Sequence, residues 1–137
     1  MKSFGIVIVL FIIGCRCYSQ NPAEFEDCVD KSTQTQSEIN NCARDEVTRA
    51  DSELNAAYKR LLATIAGDSL AIAKLREAER AWLRYRDAYI EAVYPAKDKQ
   101  LAYGSEYPMD VNLLRAKLTR EHLVAIRYLI TEYQPTR

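Results

Sequence analysis

Apolar residues recur in steps of three and four over three separate stretches of this chain, a period that only long amphipathic helices satisfy. In the first stretch they are Ala43, Val47, Ala50, Leu54, Ala57, Leu61 and Ile65. Thr35-x-x-Glu38 ahead of it reads as a capping box, and Gly67 closes it. The second stripe is Ile72, Leu75, Ala78, Trp82, Tyr85, Tyr89 and Val93, with Asp68 or Ser69 as its cap and Pro95 as its stop. Residues 95–108 hold Gly104-Ser105 and Pro108 and read as a long loop. Asp110 then opens a third helix with Val111, Leu114, Leu118, Ala125 and Leu129 on one face and Ile126 and Ile130 beside it, fraying near Gln134-Pro135. Only 4 Gly and 4 Pro in 137 residues exclude a turn-rich β-sandwich.

A turn of two or three residues at Gly67 forces the first two helices antiparallel. Leu54 then lies opposite Trp82, Leu61 opposite Leu75, Val47 opposite Tyr89, and Asp51 level with Arg86. Asp51 and Arg86 each sit on the shoulder of a stripe, where carboxylate and guanidinium can pair. Asn21-Pro22 opens a short helix through Cys28. The expected fold is all-α: an antiparallel helical hairpin plus a third long helix, forming a three-helix bundle. The short N-terminal helix is tied on by a disulfide.

Residues 1–19 read as a signal peptide and 20–137 as a single domain. Lys2 precedes an apolar run from Phe4 to Ile13, half the length that spans a bilayer (about 20 residues) but right for a signal-peptide core. Two processing routes compete. Ile12-Ile13-Gly14-Cys15 looks like a lipobox, which would lipidate Cys15, whereas Cys17-Tyr18-Ser19 is a small-x-small site before Gln20. Cutting after Ser19 leaves an even pair, Cys28 and Cys42, while lipidation at Cys15 strands Cys17 as a lone thiol in an oxidising compartment. Parity favours a soluble periplasmic or extracellular product without a transmembrane span, with the lipid-anchored form as the alternative.

The spacing of Cys28 and Cys42 is neither a metal-ligand nor a thioredoxin spacing, so they read as a structural disulfide. Closing such a loop contributes roughly 3 kcal/mol. Without Lys2 and Arg16 the mature chain has 17 cations against 19 anions, a net −2 that sets up no field for nucleic acid.

Asp51-x-Glu53-Leu54-Asn55-x-x-Tyr58 follows Thr35 to Ala43, and Trp82-x-x-Tyr85-Arg86-Asp87, Gly104-Ser105 and Leu118-Thr119 come after it. In this order and spacing the segments resemble the LprI-like lysozyme-inhibitor N-terminal domain family, from about Cys28 to Ile126. The resemblance implies an all-helical, exported, non-enzymatic protein with a protein partner such as lysozyme. Two positions depart from the family pattern. Family members often carry a second cysteine pair where this chain has Ile90 and Leu113 or Leu114, so the 95–108 segment is expected to lose a tether. His122 stands where the family tends to carry an arginine.

Trp82, on the stripe opposite Leu54, reads as core packing rather than ligand stacking. Asn55, beside its stripe, reads as an interhelical hydrogen bond that fixes register. His122 has no second histidine or free cysteine with which to complete a metal site, so a hydrogen-bonded or surface role is expected. Ser105 lacks a nucleophile elbow and a base. Arg76, Arg80, Arg84 and Arg86 interleave with Glu77, Glu79 and Asp87 as a solvated flank. No spacing points to paired carboxylates facing one cleft, and no enzyme, metal or cofactor is expected.

Tyr94, Tyr103 and Tyr107, with Glu106, cluster around the long loop. They read either as partner-contact residues, because tyrosines anchor interfaces, or as rings folded over the open side of the hairpin. Only Leu101 and Tyr103 are available to pin the segment by burial. The expected function is an exported cell-envelope binding protein, a lysozyme inhibitor acting by steric occlusion. The alternative is a non-inhibitory structural or assembly module of the envelope. A clustered acidic, tyrosine-bearing surface would support the first; evenly mixed charge would weaken it.

Overall fold

The computed structural model describes residues 23–33 and 35–133. The expected leader with Cys15 and Cys17, the expected helix start at Asn21-Pro22 and the expected fraying near Gln134-Pro135 lie outside the described residues. The elements are α1 (Ala23–Lys31), α2 (Gln36–Thr64), α3 (Ser69–Val93), α4 (Lys99–Tyr103), a single 3-10 turn (Gly104–Glu106) and α5 (Tyr107–Glu132).

Each boundary has a local cause. Thr35 Oγ1 accepts from the Glu38 amide at 3.4 Å while the Glu38 carboxylate accepts from the Thr35 amide at 3.4 Å, so the capping box is formed. Asp68, rather than Ser69, caps α3 by accepting from the Ala71 amide at 2.9 Å. α3 stops at Val93, two residues short of Pro95, because the residue before a proline is pushed out of the helical region.

The expected loop at 95–108 is instead largely helical. Asp98 caps α4 by accepting from the Leu101 amide at 2.9 Å. Gly104, at φ +71°, makes the left-handed step that a side chain would resist. α5 begins at Tyr107 rather than Asp110, with Pro108 in its first turn, where no amide partner is needed.

α2 and α3 run antiparallel in the expected register, since Asp51 meets Arg86. α5 reverses again and therefore lies parallel to α2, with Glu46 paired to Arg120 and Glu53 to Arg127 at a constant offset. The closest helix pair is α2 with α5, not the sequence-adjacent hairpin. Ala43 and Ala50 are fully buried on α2, and Ala116 and Thr119 are buried on α5. Small side chains there let the two backbones approach closely.

The main core lies toward the other end of the same seam. Leu54, Leu61 and Ile65 pack with Leu123, Ile126 and Ile130, and α3 adds half-buried Ile72, Leu75 and Trp82. Burying one such leucine or isoleucine contributes roughly 1.5–3 kcal/mol.

Two of the expected apolar faces are displaced. On α5 the buried line is Ala116, Thr119, Leu123, Ile126 and Ile130, while Val111, Leu114, Leu118 and Leu129 are half-buried and Ala125 is exposed. On α3 the inward line is Ile72, Leu75, Glu79, Trp82, Arg86 and Ile90, all at least half-buried. The other half of the expected α3 stripe faces outward, with Tyr85 57% and Tyr89 43% exposed and Ala78 and Val93 exposed as well. The physical reason is that Glu79 and Arg86 fill the α3 seam with polar side chains.

α1 runs to Lys31, one turn past Cys28, and is held by the Cys28–Cys42 disulfide, whose Cα atoms are 5.8 Å apart. Arg49 Nε also lies 2.8 Å from the Glu24 carboxylate.

Candidate functional site

The motif residues converge on the seam where α3 lies against α2 and α5. Arg86 Nη1 donates to Asp51 Oδ1 at 3.3 Å and to Thr119 Oγ1 at 3.2 Å, and the Thr119 hydroxyl is 3.4 Å from the same carboxylate. The guanidinium carbon stands 5.2 Å from the Trp82 ring centroid. The His122 ring stacks on Trp82 at 4.0 Å between centroids and 7° between planes, and His122 Nε2 is 2.8 Å from Glu79 Oε2. One residue from each of three helices thus meets at Arg86. A one-residue slip of any helix would break a charge-assisted bond as well as an apolar contact.

Asp51, Trp82 and Arg86 are where the sequence places them, and Trp82 packs against the core as expected. Tyr58 does so too; burial raises its hydroxyl pKa above the usual phenol range, and the Glu79 carboxylate adds to the rise. Two motif residues lie elsewhere than the pattern suggests. Asn55 is exposed and does not fix the register. Tyr85 faces solvent. Asp87 is exposed, as a solvated flank requires, and meets Arg86 Nε at 3.4 Å. Arg86 and Glu79, expected on the same flank, turn inward instead.

A second buried charge escaped the sequence reading. Glu46, only 4% exposed, pairs with Arg49 at 2.5 Å and with Arg120 across to α5. Its position between Ala43 and Ala50, on the most buried line of α2, is the signal that could have flagged it.

The three tyrosines at the far end of α3 form one cluster. Ring centroids are 5.3 Å apart for Tyr94–Tyr103, 5.4 Å for Tyr94–Tyr107 and 5.6 Å for Tyr103–Tyr107. The Tyr103 hydroxyl accepts from the Ala96 amide at 3.1 Å. Burial raises the Tyr94 pKa, and the Asp110 carboxylate adds to the effect.

The segment is therefore tethered without a second disulfide. Lys99 bonds Glu91 at 2.8 Å and the Tyr94 carbonyl, and Asn40 Nδ2 donates to the Ser105 carbonyl at 3.1 Å. Leu101 plays no part in this, being 86% exposed. Glu106 is exposed beside the half-buried rings. The charges around the cluster are mixed, Lys97 and Lys99 standing among Glu91, Asp98, Glu106 and Asp110.

Among the described residues, no group of three or more His, Cys, Asp or Glu side chains could hold a metal ion. No helix among them is long and apolar enough to cross a membrane. The geometry offers filled interhelical bonds at Arg86 and Glu46 and a ring cluster at one end of the bundle. These features suit shape-specific contact.

The chain is 31% identical over 116 residues to an uncharacterized protein of Rhizobium meliloti (strain 1021), covering 76% of this chain and 78% of that protein. It is 26% identical over 115 residues to the uncharacterized protein YecT of Escherichia coli (strain K12), covering 69% and 71%. No solved structure matches it. The family model described as lysozyme inhibitor LprI matches residues 28–124, a span that includes the disulfide, the Arg86 seam and the tyrosine cluster. The chain belongs to the LprI lysozyme-inhibitor family.

Proposed function

We propose that this protein is exported to the cell envelope, where it binds a lysozyme-type muramidase and blocks its substrate cleft sterically. The family match across nearly all of the folded chain carries the reading. The Cys28–Cys42 bond fits the oxidising compartment to which the leader at 1–19 would direct the chain. Processing after Ser19 gives the soluble form; lipidation at Cys15 gives the anchored one.

The proposed contact element is the end of the bundle carrying Tyr94, Tyr103, Glu106 and Tyr107, a largely helical, hydrogen-bonded segment rather than an irregular loop. A preordered element spends less binding energy on ordering than a loop does. Mixed charge there gives little electrostatic steering, so the contact rests on shape and ring burial.

The test is turbidimetric lysis of a cell-wall suspension by lysozyme, with and without the processed protein. Slowed lysis at stoichiometric inhibitor is expected; unchanged lysis at large excess overturns the reading. Tyr103→Ala and Tyr107→Ala should each weaken inhibition while the helical circular dichroism is retained. Loss of inhibition only on unfolding would move the contact to the helix faces. A protein that binds envelope components and leaves lysis untouched would fit the assembly-module alternative.

A further inference from the structure

We propose that the outward face of α3 is the interface of a two-fold homodimer, in which α3 packs antiparallel against α3 of a second copy. Every third or fourth residue from Lys74 through Ala78, Ala81, Tyr85 and Tyr89 falls on one exposed stripe, and Lys74 is its only charge. Exposed rings on such a line mark an interaction surface on a small protein.

Near its N-terminal end the stripe borders a cleft of about 260 Å³ between α3 and α5. Buried Leu61 and Ile65 form its floor, Leu75 and Leu129 its walls, and Lys74 and Tyr133 its rim. The bundle thus carries knobs toward one end of α3 and a hole toward the other.

Isologous pairing requires knob and hole to lie at matching distances from the axis. Tyr85 lies four residues after Ala81 and Ala78 three before it; Tyr89 lies eight after and Lys74 seven before. An axis beside Ala81 therefore sets each Tyr85 over the partner copy's Ala78 and each Tyr89 at the partner copy's Lys74 and Leu75, inside the cleft. Ala81 at the crossing is small enough for close approach. On the outer edge of the stripe the same register brings Glu77, which bonds Lys74 of its own copy at 3.1 Å, level with Arg84 of the other copy, opposite charges on both sides of the axis. The two Lys74 ammonium groups fall far apart, so the face meets itself without repulsion.

A 25-residue helix is about 37 Å long and about 10 Å wide with its side chains. The two facing strips then cover roughly 740 Å² in total, below the roughly 1,200 Å² at which standard stable interfaces begin. The dimer should accordingly be weak and concentration-dependent.

Sedimentation equilibrium of the processed protein, up to hundreds of micromolar, tests this. The apparent mass should rise from that of one chain toward twice that value. Tyr85→Asp with Tyr89→Asp should abolish the rise while circular dichroism stays helical. Should that pair misfold, Ala81→Glu on the outer surface serves instead. Glu77→Arg should weaken association at least tenfold, and adding Arg84→Glu should restore it, an outcome specific to this register. Three results overturn the proposal: a single-chain mass at every concentration, a dimer indifferent to these substitutions, or a charge swap that fails to rescue. A face shielded by an envelope protein while the chain stays monomeric counts among the first.

Discussion

Arg86 illustrates how one residue can set the placement of three helices. Its side chain is 12% exposed and its partner Asp51 42%, so the pair is neither a freely screened surface bridge nor a fully buried one. The bond to Thr119 and the Trp82 ring supply the further partners that a mostly buried guanidinium needs. A double-mutant cycle with Asp51→Ala and Arg86→Ala, read by urea unfolding, should give a coupling within roughly 0.5–3 kcal/mol. Additive losses would show that the two contribute separately. Glu46 is the more buried charge and holds α5 through Arg120. Glu46→Ala should cost roughly 3–5 kcal/mol, because it leaves the mostly buried Arg120 without its carboxylate while Arg49 keeps only Glu24. A loss below 1 kcal/mol, within the usual worth of surface pairs, would mean that water already satisfies them.

At the scale of elements, legibility followed side-chain type. α2 was readable because its cap is a side-chain motif and, apart from Glu46, its buried line is a regular run of apolar residues. The hairpin register was readable because a short turn leaves no freedom, and Asp51 meets Arg86 as that constraint requires. The face of α5 was not, because Ala116 and Thr119 are buried for being small, and smallness carries no hydropathy signal. The α3 face misled for the opposite reason: Glu79 and Arg86 take inward positions that a hydropathy pattern assigns to Tyr85 and Tyr89. At the tyrosine end, the residue types were visible and their mutual packing was not, because α4 depends on a single Asp98 cap.

The capping box makes the start of α2 sensitive to acid. Hydrogen bonds from Thr33 and then Thr35 hold the Glu38 carboxyl below its usual range. A depressed folded-state pKa contributes stability that is present above the unfolded value and lost as pH falls through the folded one. Amide-exchange protection of Glu38 and Ile39 should therefore fall in acid beyond the ordinary carboxylate range. The step should vanish in Glu38→Gln, and a step that survives this substitution would assign it to another group.

For the whole molecule, the order of the helices separates what the disulfide holds from what the core holds. α1 packs on the N-terminal half of α2, through Cys28–Cys42 and Arg49–Glu24. The core runs through Leu54, Leu61, Leu123 and Ile126, beyond the reach of α1. Breaking the bridge should thus lower stability by roughly 3 kcal/mol, through the freedom returned to the unfolded chain, without dismantling α2, α3 and α5. Cys28→Ser with Cys42→Ser should unfold in one urea transition at lower midpoint, with the slope nearly unchanged apart from the surface of α1. Thiol labelling of the unreduced, unfolded processed protein should find no reactive cysteine. A variant that loses its helical signal altogether would show that α1 is part of the cooperative unit, and that the α2–α5 seam cannot stand without it.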